Sequence, residues 1–128
     1  MRRAAFALPC LFAASAAAAS DMLPLKRGIY VEVGVPCKGA SNADTLSYWG
    51  NDNGINAAHA SCRITALSNK GPRYDLRRAC RLVQGPYIGH RNDRLRLTIV
   101  SRTSFVAHWR GFQPVETTYR YCGPKVQF

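Results

Sequence analysis

The chain has 128 residues, 18 Lys and Arg against 7 Asp and Glu, and five cysteines. A chain of this length holds one domain with a modest core and leaves no room for a second. Its basic balance points toward anionic partners.

The first nineteen residues read as a cleavable signal peptide. Arg2 and Arg3 give a positive start, and Ala4 to Ala14 form an apolar stretch interrupted by Pro9 and Cys10. Ala17, Ala18 and Ala19 then offer a cleavage site before Ser20. The stretch is too short for a permanent span, and no later segment approaches the roughly 20 apolar residues that a span requires. Pro9 stands where lipid attachment at Cys10 would want a small residue, so lipidation is rejected. Residues 20–128 are then one mature domain in the periplasm or outside the cell. It keeps 16 basic residues against all 7 acidic ones, a net +9.

Cleavage leaves four cysteines, Cys37, Cys62, Cys80 and Cys122. An even number in a short exported chain reads as two disulfides. Four cysteines allow three pairings, and Cys37–Cys62 with Cys80–Cys122 is preferred. Cys62–Cys80 competes, because both lie equally far from the Asn69-Lys70-Gly71 turn and would face each other across a hairpin. A zinc site from Cys37, Cys62 and His59 matches no standard spacing.

Along the mature chain, Pro and Gly recur too often for long helices, and several segments alternate with period two. Gly28–Val33 is β-branched and aromatic. Ser41–Ala60 is a polar loop with a short strand at Leu46–Trp49. Cys62–Leu67 puts Cys62, Ile64 and Ala66 on one face. The turn Ser68-Asn69-Lys70-Gly71-Pro72 follows. Tyr74–Leu82 then places Tyr74, Leu76, Cys80 and Leu82 together with most Arg opposite. His90 falls in a Gly- and Arg-rich turn. Leu95–Val100 alternates, as do Phe105–Trp109 and Val115–Tyr121 on either side of a turn at Gly111-Phe112-Gln113-Pro114. The reading is an all-β domain, a small antiparallel barrel or strongly bent sheet of six to seven short strands.

Twelve of the sixteen mature cations are Arg, and nine fall between Arg73 and Arg110. If Arg77, Arg81, Arg94 and Arg96 all leave the core on neighbouring strands, they form one basic face. With Arg91 and Arg110 they are the candidate anion-binding set, since Arg grips phosphate and carboxylate in a bidentate way. Lipopolysaccharide, nucleic acid or an acidic protein would be the partner. The same charges would also serve solubility alone.

Catalytic motifs are sparse. His90 and His108 with an Arg could in principle cleave a phosphodiester, with Glu32 or Glu116 replacing one imidazole, in the manner of a secreted ribonuclease acting on a polyanion. No ribonuclease motif surrounds them. There is no nucleophile elbow, H-E-x-x-H or P-loop. Asp44, Asn51, Asp52 and Asn53 fit turn chemistry better than a calcium loop. Trp49 and the Trp109-Arg110 pair could offer stacking surfaces. No cofactor is implied, and no catalytic or metal residue is assigned.

The layout resembles a group of small exported bacterial proteins. Gly28-Ile29-Tyr30, the run Pro36 to Asn42 around Cys37, Cys62-Arg63-Ile64 and the closing Tyr119 to Cys122 carry the likeness. The resemblance spans nearly the whole mature chain and implies export and two disulfides, and it implies no activity. A looser likeness is to periplasmic lysozyme inhibitors, also small β-barrels. A +9 inhibitor would be repelled by the basic lysozymes it would have to bind. The expected function is a non-enzymatic exported module that binds an anionic surface or partner.

Overall fold

The segments that alternate with period two become strands of a single sheet in the computed structural model, which describes residues 21–110 and 113–128. They are β1 (Gly28–Glu32), β2 (Thr45–Tyr48), β3 (Ala60–Lys70), β4 (Arg73–Gln84), β5 (Tyr87–Ser101), β6 (Ser104–Trp109) and β7 (Val115–Gly123). All neighbours are antiparallel, in the order β2-β1-β7-β6-β5-β4-β3, and the sheet curls into a half-barrel. The expected all-β fold with two disulfides is what the chain adopts. The signal-peptide reading concerns residues 1–19, which lie outside the described residues.

Two long hairpins close on the same dipeptide. Gly71-Pro72 links Lys70 to its partner Arg73, and Gly85-Pro86 links Gln84 to Tyr87. Gly71 and Gly85 have φ of 59° and 55°, which suits the first central position of a two-residue hairpin turn, while the following Pro holds the next φ negative.

Period two sends alternate residues inward. The inner face buries Tyr30, Tyr48, Ile64, Leu76, Leu95, Leu97, Phe105, Ala107 and Tyr119, with Leu23 and Leu25 of the N-terminal segment packed onto them. Tyr30, Phe105 and Tyr119 form a continuous aromatic run, with centroids 5.1 and 5.4 Å apart. At Gly28 an added Cβ would meet the Gly123 carbonyl oxygen and the Tyr121 ring at 2.5 Å, so β1 can lie this close to β7 only with glycine there.

The open edges of β2 and β3 are tied together by the Asn-rich segment between them. Ser47 and Asn56 exchange two backbone hydrogen bonds, and the Gly54 amide donates to the Cys62 carbonyl at 2.7 Å. The Asn56 side chain accepts from the Cys62 amide at 2.7 Å and donates to Asn53. These asparagines therefore satisfy backbone groups where the half-barrel would otherwise gape. The short strand expected at Leu46–Trp49 is present as β2.

Three expectations are corrected. The disulfides are Cys37–Cys122 and Cys62–Cys80, not the preferred pairing. β1 lies beside β7, which brings Cys37 to Cys122, and the β3–β4 hairpin sets Cys62 directly opposite Cys80. Ala66 does not share a face with Cys62 and Ile64. A bulge at Thr65 adds one residue, so Ala66 turns outward opposite Arg77 and Leu67 turns inward opposite Leu76. His90 is not in a turn but inside β5, opposite Arg81. β5 is much longer than its apolar half because β4 pairs with it through twelve residues, Arg73 to Gln84.

Candidate functional site

The outer face of β3, β4 and β5 is built by the residues that the pleat turns away from the core. In register across β4 and β5, Asp75 stands opposite Arg96, Arg77 opposite Arg94, Ala79 opposite Asn92, and Arg81 opposite His90. On β3, Ala66 flanks Arg77, and Arg63 flanks Ala79. On β6, His108 faces Arg96. Arg110, two residues further on, joins Arg77, Arg94 and Arg96 around a concavity of about 420 Å³. Arg63 with Arg77 and Arg94, beside Asp93, and Arg63 with Arg81 and His90, beside Asp52, line the two depressions that continue along the same face.

Five of the six candidate anion-binding arginines, Arg77, Arg81, Arg94, Arg96 and Arg110, therefore share this face. Arg91 does not. It stands opposite Cys80, on the other side of the sheet, where its guanidinium lies 3.7 Å from Asp93. Arg63 belongs to the face and lies outside the Arg73–Arg110 cluster that composition singles out. Its position between inward Cys62 and inward Ile64 is the signal that places it.

The carboxylates are distributed unevenly. Asp75 accepts from Arg96 Nε at 2.9 Å. That hydrogen bond and the charges of Arg96, Arg73 and Arg110 hold its carboxyl below the usual range. Asp93 is engaged on the inner side, bidentate to Arg78 at 2.8 and 2.7 Å. Arg78 is only 6% exposed and also donates to the Ile55 carbonyl. Among the described residues, Arg63, Arg77, Arg81, Arg94 and Arg110 have no carboxylate within 4.0 Å. Two like charges directly opposite on paired strands are unfavourable, so Arg77 and Arg94 leave a site whose repulsion an anion would relieve. Two guanidinium forks side by side can each offer paired N–H donors to a phosphate, sulfate or carboxylate.

The histidines do not assemble a two-imidazole site. His90 faces Arg81, while His108 faces Arg96, six residues along β5 from His90; at about 3.3 Å per residue this is roughly 20 Å. His108 is held between neighbours on its own face. Its Nδ1–H donates to Glu116 Oε1 at 3.1 Å, and in the neutral ring Nε2 accepts from the Thr98 hydroxyl at 2.9 Å. Trp109 is half-buried, packed against the core on one side and lining a shallow concavity beside Arg110 on the other, and Trp49 is 37% exposed beside the Asn-rich segment. Cys37 and Cys62 are each consumed in a disulfide, which removes the zinc set proposed from them. No group of three or more His, Cys, Asp or Glu capable of holding a metal occurs among the described residues.

Comparisons with protein-family models, with curated proteins and with solved structures find no match to this chain.

Proposed function

We propose that the protein is an exported, non-enzymatic binding module whose arginine face captures an anionic surface or partner. The observation that carries this reading is the Arg77–Arg94 pair, opposed across β4 and β5 in the concavity that Arg110 and the Asp75–Arg96 ion pair also line; among the described residues no carboxylate lies within 4.0 Å of Arg77, Arg94 or Arg110. Export to an oxidising compartment, the periplasm or the exterior, is supported by the signal-like residues 1–19 and by both disulfides. Removing residues 1–19 would leave Leu23 and Leu25, both core residues, on the chain.

The test separates the face from bulk charge. Arg77→Ser/Arg94→Ser and Arg102→Ser/Lys125→Ser each remove two positive charges, the first pair on the face and the second away from it. On a heparin column the first variant is expected to elute well before the second. Equal elution would show that net charge alone governs retention and would overturn the proposal.

A further inference from the structure

The basic face ends on an apolar tip. β6 pairs with β5 only from Arg96 onward, so the end of the β4–β5 hairpin runs on without it. Tyr87 lies nine residues from Arg96, roughly 30 Å along the strand. At that end Val83 is the cross-strand partner of Ile88, on the same outer face as Arg81, His90, Arg77 and Arg94. Val83 and Ile88 are 39% and 54% exposed, and Tyr87, opposite Gln84 on the other side of the ribbon, is 63% exposed. Tyr87 leans back over Gly89, where an added Cβ would meet its hydroxyl at 2.9 Å.

Along the hairpin no acidic residue occurs between Arg77 and Asn92, and the acidic residue lining the depression with Arg81 and His90 is Asp52, from the Asn-rich segment, with no ion pair to Arg81 within 4.0 Å. Arg81, facing His90, is the next outer pair below Val83–Ile88, and Arg91 supplies a cation on the opposite side of the same ribbon. The result is an apolar end collared by cations, with a further arginine pair beneath. A soluble polyanion would use the cations and leave the tip in water. The interface of an anionic bilayer matches both, since it sets phosphates at the level of the collar and acyl carbon at the level of the tip. Tyrosine, with an apolar ring and a polar hydroxyl, suits that boundary.

Resting on the anion-binding reading, we propose that the ligand of the face is an anionic phospholipid surface, entered by Val83, Tyr87 and Ile88 with the arginines on the phosphates.

The experiment compares vesicles of phosphatidylglycerol mixed with phosphatidylcholine, vesicles of phosphatidylcholine alone, and heparin, all at about 0.15 M salt, near the ionic strength at which exposed charges are screened beyond roughly 8 Å. The unaltered protein is expected to sediment with the anionic vesicles and not with the neutral ones. Val83→Ser/Ile88→Ser is expected to weaken vesicle binding about tenfold by removing apolar burial while keeping heparin retention. Arg77→Ser/Arg94→Ser is expected to weaken both. In a Tyr87→Trp variant, the added emission is expected to shift to the blue on anionic vesicles, a readout independent of the serine substitutions. Heparin retention without vesicle binding, or vesicle binding indifferent to the tip with no blue shift, would overturn the lipid inference and leave the anion-binding reading standing. Loss of both heparin and vesicle binding would end both.

Discussion

Arg77 and Arg78 are neighbours in the chain, and the pleat separates them completely. Arg78 turns inward, where burial would be prohibitive for a lone cation, and Asp93 from the facing strand supplies two hydrogen bonds to it while the Ile55 carbonyl takes a third. Arg77 turns outward to face Arg94. The two residues therefore respond oppositely to substitution. Asp93→Ala leaves a buried guanidinium without its counter-charge and is expected to cost about 3 kcal/mol in chemical denaturation. Arg77→Ala removes one member of a like-charge pair and is expected to change stability by less than about 0.5 kcal/mol. A near-neutral Asp93→Ala would show that Arg78 does not depend on that pair.

The strands and hairpins show what the sequence makes legible and what it does not. Alternation around Leu76, Leu95, Leu97 and Phe105 marks the core face, and the same alternation sends Arg77, Arg94 and Arg96 outward. The bulge at Thr65 leaves no compositional trace, because an extra residue in a ladder is a matter of backbone pairing with β4. The first half of β5, with Gly89, His90 and Arg91, lacks an apolar rhythm. It is a strand because β4 beside it provides hydrogen-bond partners throughout. The Cys62–Cys80 bridge could be read from its symmetric placement about a turn, whereas Cys37–Cys122 depends on β1 meeting β7, a contact between distant parts of the chain. That difference also sets their energetic weight. The Cys37–Cys122 bridge spans 85 residues and the Cys62–Cys80 bridge spans 18, so chain entropy gives the longer loop about 1 kcal/mol more. Replacing Cys37 and Cys122 by Ser is therefore expected to lower the denaturation midpoint further than replacing Cys62 and Cys80. The reverse order would mean that the hairpin staple, not the closure of β1 on β7, dominates.

At the scale of the whole molecule, two properties follow from how the chain divides its polar groups between the two sides of the sheet. The inner side carries tyrosines whose hydroxyls sit in a dehydrated core. Burial pushes Tyr48 up to about 12, helped by the nearby Asp21 carboxylate, and burial raises Tyr30 and Tyr119 as well. In the unfolded chain a tyrosine ionises near pH 10, so above that pH the unfolded state sheds protons that the fold retains. Stability is then expected to hold up to about pH 10 and to fall as the pH rises from there toward 12; a midpoint that stays flat across that interval would show these hydroxyls to be solvated.

The outer side carries the cations that make the molecule a candidate for anion capture, and their arrangement has a signature that net charge lacks. Each arginine in direct contact with an anionic group releases counterions, so the dependence of affinity on salt counts those contacts. The most direct test is the slope of log affinity against log salt for a heparin fragment, measured by titration with the unaltered protein and with Arg77→Ser/Arg94→Ser. The slope is expected to become shallower by about one unit for each arginine removed. An unchanged slope, with affinity no different from that of Arg102→Ser/Lys125→Ser, would mean that the opposed pair does not touch the anion.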